Sequence, residues 1–161
     1  MALLRILEDS RAHYPIAIIG AAMIERALEV AITSRLVPLD KQGRNLLFDF
    51  EQKGLLADLG ARIRMGSALG LFGPKTFADL ETIRHIRNLF AHAPSPRGFD
   101  DKEVSEACRH LSRSIRRFAA RPSLARTDSE LYIEACIEIS SHLRERHAIE
   151  PEFPMWDDLL P

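Results

Sequence analysis

Apolar residues recur at three- and four-residue spacing through most of this chain, and no stretch alternates apolar with polar over the length of a strand. The periodicity predicts a series of amphipathic helices and no sheet. Residues Leu3 to His13 can form a short helix with Leu3, Leu4, Ile6 and Leu7 turned inward. Pro15 suits the first position of a longer helix, which runs to about Leu36 and is ended by Pro38. There Ile16, Ile18, Ile19, Met23, Ile24, Val30 and Ile32 cover most of the circumference, leaving Glu25, Arg26 and Glu29 as a narrow polar arc. A helix so apolar belongs at the centre of its domain or in an oligomer interface. Gly20, Ala21 and Ala22 would let a neighbouring helix approach closely.

Leu39 to Gly54 carries mixed signals and reads as a loop with about one helical turn around Arg44 to Phe48. Leu55 to Leu71 returns to helical spacing, with Leu55, Leu56, Leu59, Ile63, Ala68 and Leu69 expected inward and Arg62 and Arg64 outward. Gly73-Pro74 restarts the chain into a helix from Lys75 to about Ala91, whose core stripe is Leu80, Ile83, Ile86 and Phe90. After the breaker P-S-P-R-G, Asp100 or Asp101 can cap a helix to about Ala120, with Val104, Ala107, Cys108, Leu111, Ile115 and Phe118 on its apolar side. Thr127 followed by Glu130 is a capping box. It opens a last helix to about His147 with Leu131, Ile133, Cys136, Ile137 and Leu143 inward. The expected architecture is all-α: a compact single-domain bundle of about five to seven helices over residues 1–148. An acidic, proline- and aromatic-rich tail, residues 149–161, follows it, and Trp156 is expected to dock on a folded surface.

The 161 residues are enough for one domain with a real core. A net charge of −1 removes any global attraction to nucleic acid or an anionic membrane. Locally the picture differs. Arg109, Arg113, Arg116 and Arg117 form a basic strip, readable as a solvated face, a nucleic-acid contact or a dock for the acidic tail. Any DNA binding through it would be weak and non-specific. Cys108 and Cys136 have neither metal-ligand nor disulfide-framework spacing and read as buried free thiols. The histidines do not cluster, so no metal and no cofactor is expected. An N-terminus charged within five residues resembles neither signal peptide nor membrane span, which suggests a cytoplasmic protein with no membrane partner.

The chemistry concentrates in I-R-H-I-R-N-L-F-A-H, Ile83 to His92. Arg87 falls on the edge of the apolar stripe, and a guanidinium cannot shed its charge there. It therefore needs a counter-charge, for which Glu25 and Glu29 on the apolar helix are the candidates, or a ligand. Asn88 and His92 share a helix face, whereas five residues at about 100° each set Arg87 and His92 about 140° apart. An Arg to hold phosphate oxygens and a His to move a proton is a minimal kit for metal-free RNA cleavage.

R-N-L-F-A-H closing a helix in an all-α chain resembles the R-x4-6-H motif of the HEPN superfamily. More specifically, A-I-I-G-A-A-M-I-E-R-A-L-E (Ala17 to Glu29), A-R-I-R-M-G-S-A-L-G-L (Ala61 to Leu71) and D-L-E-T-I-R-H-I-R-N-L-F-A-H (Asp79 to His92) resemble the bacterial mannitol operon repressor family. That resemblance implies an all-helical, non-enzymatic regulator of transcription without a recognisable helix-turn-helix. A homodimer through the apolar helices is expected, with a protein or nucleic-acid partner. The alternative is a HEPN-like metal-independent endoribonuclease using Arg87, Asn88 and His92.

Overall fold

The structure, a computed structural model, describes residues 13–92, 97–118 and 127–146; for residues 112–118 and 146 only the backbone is described. It is all-helical, with no strand among the described residues. The elements are α1 (His13–Thr33), α2 (Lys41–Phe48), α3 (Leu59–Ala68), α4 (Pro74–Ala91), α5 (Lys102–Phe118) and α6 (Asp128–Arg146). Apart from His13, the helix expected over Leu3 to His13 lies outside the described residues, as do Pro94 and the tail with Trp156.

Four of the six helix starts carry a side-chain cap. Asp40 Oδ1 accepts from Gly43 N–H and Asp58 Oδ1 from Ala61 N–H, so a short acid sits at the N-cap of α2 and of α3. α4 starts with Pro74 in its first turn, where a missing N–H costs nothing. Asp101 Oδ1 accepts from Glu103 N–H at 3.1 Å ahead of α5. The capping box of α6 is reciprocal: Thr127 N–H donates to Glu130 Oε2 at 3.0 Å, and Glu130 N–H to Thr127 Oγ1 at 3.2 Å.

α1 is central. It packs on α6, α4 and α3, while α5 closes against α6 and α4. Ile24, Leu28 and Ile32 of α1, Ile63 of α3, Leu80, Ile83 and Ile86 of α4, Val104 and Leu111 of α5 and Ile139 of α6 are all inaccessible to water. Each such side chain contributes roughly 1.5–3 kcal/mol by its removal from water. The small-residue stretch on α1 works as expected at Gly20. A Cβ there would lie 2.5 Å from Tyr132 Cε1 and 3.0 Å from Cys136 Sγ, so α6 approaches closely only because the side chain is absent. Tyr132 fills the space, with its hydroxyl donating to Ala17 O at 2.7 Å.

Phe99, which the sequence reading passes over inside a loop, is a core residue. It is buried between His13, Phe90 and Tyr132, with ring centroids 5.6, 5.0 and 5.5 Å away, and its N–H donates to His13 Nδ1. One aromatic residue thus ties the start of α1 to the end of α4 and the beginning of α6.

Three sequence expectations are overturned around α3. Leu55 and Ala68, expected inward, are exposed, and Arg62, expected outward, is buried. The helix begins only after Asp58, because Leu55–Ala57 belong to the preceding turn, where Leu56 N–H donates to Leu47 O. On α6, Ile137, expected inward, is 40% exposed, while Tyr132 and Ile139 take inward positions.

Candidate functional site

Of the polar residues of α4, Asp79 is buried with Leu80, Ile83 and Ile86, whereas Glu81, Arg84, His85, Arg87 and Asn88 are at least partly exposed. Arg84 grips Glu81 one turn back, with Nη2 2.7 Å and Nε 3.1 Å from Oε2, and this hydrogen bond raises the guanidinium pKa further. His85 Nε2 lies 3.4 Å from Glu103 Oε1 on α5, and Glu103 also meets Arg97 at 3.1 Å. These contacts join α4 to the loop and the start of α5.

Arg87 is half-buried. Its Nη1 donates to Asn88 Oδ1 at 3.1 Å, and no carboxylate faces it among the described residues. The expected structural ion pair of Arg87 with Glu25 or Glu29 is therefore not formed. Glu29 is occupied instead: Arg26 Nη1 and Arg44 Nη1 reach its Oε1 at 2.9 and 3.3 Å, and Arg62 Nη1 reaches its Oε2 at 3.5 Å. From Glu25 it is the backbone carbonyl that serves, accepting from Arg62 Nη1 at 2.9 Å.

Arg62 is the buried cation among the described residues. Its Nε donates to Leu56 O at 2.7 Å and its Nη2 to Phe48 O at 3.4 Å, and its guanidinium carbon sits 5.3 Å from the centre of the Phe48 ring. A planar fork with five donors suits acceptors scattered over three segments; an ammonium would reach one of them. Sequence spacing could not find this role. Arg62 stands on the rim of the α3 stripe as Arg87 does on α4, and backbone carbonyls leave no signature in a sequence.

Asn88 and His92 lie a turn apart. His92 is exposed at the C-cap of α4, where its N–H donates to Asn88 O at 3.1 Å. Its imidazole has no hydrogen-bond partner among the described residues. Of the basic strip, Arg109 is exposed and donates to Ser105 Oγ at 3.2 Å, while the side chains of Arg113, Arg116 and Arg117 lie outside the described residues. Cys108 and Cys136 are buried free thiols. Burial, with Asp128 nearby, pushes the Cys108 thiol up to about 12, and burial raises Cys136 further. Neither is a nucleophile at neutral pH. Among the described residues no group of three or more His, Cys, Asp or Glu could hold a metal ion, and no helix is long and apolar enough to cross a membrane. Compared with protein-family models, with curated proteins and with solved structures, the chain matches none.

Proposed function

We propose that this chain is a non-enzymatic regulatory protein of the kind its resemblance to bacterial mannitol operon repressors implies, cytoplasmic and homodimeric, and acting by binding a macromolecular partner. The supporting observation is the arrangement on α4. Arg84, His85 and Arg87 are each turned onto a neighbouring protein group rather than onto a common point, and the imidazole of His92 at the helix end has no hydrogen-bond partner among the described residues. Chemistry on a phosphodiester needs an anion-holding cation and a proton carrier within reach of the same reacting atoms. Within one chain these residues do not converge.

A second reading is kept by one fact. Arg87 has no carboxylate partner among the described residues, and Asn88 presents the face that carries the exposed His92. An endoribonuclease of HEPN type would use that Arg87, Asn88 and His92 surface, brought together from two copies.

Complementation separates the two. A deletion strain carrying His92→Ala should restore the transcript pattern of the parent gene, and purified protein with EDTA should leave single-stranded RNA intact. Loss of regulation with His92→Ala, together with metal-independent RNA cleavage that both Arg87→Ala and His92→Ala abolish, would establish the ribonuclease instead.

A further inference from the structure

The chain between α1 and α3 leaves the bundle and returns, and it is built to hold still. Asp49 Oδ1 accepts from Glu51 N–H at 2.8 Å and from Gln52 N–H at 3.3 Å. Gly54 N–H donates to Asp49 O at 2.9 Å and Leu56 N–H to Leu47 O at 2.7 Å. Lys53 turns the corner with φ at 53°, a conformation that non-glycine residues adopt at some cost. Gly54 lies so close to the end of α2 that a Cβ would be 2.5 Å from Leu47 O. The root is equally fixed, since Arg62 holds Phe48 O and Leu56 O from beneath and Arg44 reaches Glu29 on α1.

What this scaffold holds out is apolar. Phe50 and Leu55 are each 79% exposed and Leu46 57%. At roughly 150–250 Å² for a Phe, the three side chains leave on the order of 400 Å² of apolar surface, within the range of the largest patches on monomers, which are often functional. It is about half of what one partner buries in a standard interface. A mobile loop would lose conformational entropy on docking; this one is already ordered.

The rim identifies the occupant. Lys41 and Lys53 alternate with Asp40, Glu51 and Asp58, all exposed, so the surface repels neither sign and attracts neither nucleic acid nor an anionic membrane. Glu51 and Lys53 stand two residues apart without ion-pair partners among the described residues. A two-fold axis through the tip would set each against its opposite on the other copy, as an isologous interface requires. We infer that a second copy of this chain docks here, through Leu46, Phe50 and Leu55, with Glu51 and Lys53 exchanging partners across the axis. This rests on the homodimeric reading above and gives it a surface.

Sedimentation velocity on the full chain, over roughly two decades of concentration, tests it. The parent should be a dimer, and Phe50→Ser and Leu55→Ser should each weaken association by at least about tenfold with the far-UV circular dichroism unchanged. Glu51→Lys and Lys53→Glu should each weaken it, and the double exchange should restore it. Ile19→Ser, on the exposed side of α1, should leave it alone. A dimer indifferent to the tip variants overturns this surface and leaves the dimer standing. A parent that stays monomeric overturns both, and assigns the tip to a different protein or to a segment of the same chain.

Discussion

Replacing Arg62 with alanine removes charge-assisted hydrogen bonds to two backbone carbonyls, Leu56 O at 2.7 Å and Glu25 O at 2.9 Å, and two longer contacts to Phe48 O and Glu29. Hydrogen bonds to a charged group contribute about 1.5–3 kcal/mol each, and the two longer contacts contribute little. Glu29 keeps Arg26 and Arg44, so it is not left as a bare buried charge. Glu25 O sits within α1, where the ladder already supplies a donor. The unmatched loss falls on Leu56 O and Phe48 O and on the stem packed by the ring of Phe48. The expected destabilisation is about 3–4 kcal/mol, or roughly a 10 °C fall in Tm for a chain of this size. Urea unfolding followed at 222 nm reads it directly, with the slope checked for constancy. Arg62→Lys should recover little, because one ammonium cannot serve carbonyls on different segments. The loss should also persist in 1 M salt: carbonyl acceptors are screened far less than an exposed carboxylate. A midpoint change worth less than about 1 kcal/mol, or a loss that salt abolishes, refutes the assignment of Arg62 as the carbonyl-bound anchor.

Arg87→Ala, by contrast, should cost no more than about 1 kcal/mol in the same assay, since its one side-chain partner among the described residues is the neighbouring Asn88; a cost near that of Arg62→Ala would show a partner the geometry does not. Gly20→Ala should destabilise by about 1–2 kcal/mol despite the better helix propensity of alanine, because its Cβ would meet the Tyr132 ring at 2.5 Å; a stabilised variant would mean that α6 can retreat. Cys108, Cys136 and Tyr132 all have their pKa raised in the fold, so their neutral forms support stability fully below their ordinary values of 9.0 and 10.0. That support drains as pH climbs from there through the folded values, at up to about 1.4 kcal/mol per pH unit for each group. Chemical denaturation between pH 8 and roughly 11 should therefore show a steepening loss, and a thiol reagent at pH 8 should label the native protein no faster than it unfolds. Rapid labelling of either cysteine in the native state would contradict the burial.

The helical class was legible because apolar stripes, proline stops and short acidic caps carry their own periodicity and position. The capping box of Thr127 and Glu130 and the close approach at Gly20 appear as the sequence implies. What stayed hidden depends on backbone atoms or on distant partners. Phe99 sits among polar loop residues, and its burial is decided by His13, Phe90 and Tyr132 from three helices. Arg62 and Arg87 occupy similar rim positions on their wheels; carbonyls decide between them. Leu55 fits a helical repeat, but the hydrogen bond from Leu56 to Leu47 holds that stretch in a turn and faces the side chain to water. Within the candidate site, the spacing placed Asn88 and His92 together on α4, and it misassigned the counter-ion of Glu29.

The hydroxyl of Tyr132 closes on Ala17 O across 115 positions of sequence. The central helix of this bundle therefore waits, during synthesis, for the last described helix to leave the ribosome before its Gly20 groove can be filled. At about 5–20 residues per second, that interval lasts about 6–23 s, during which the most apolar of the described helices offers a ready seam to any other unfinished copy. Chaperone dependence and swapping of α6 between nascent copies are the hazards that such long-range closure brings. They fall on the stretch of the chain that is best packed once synthesis ends.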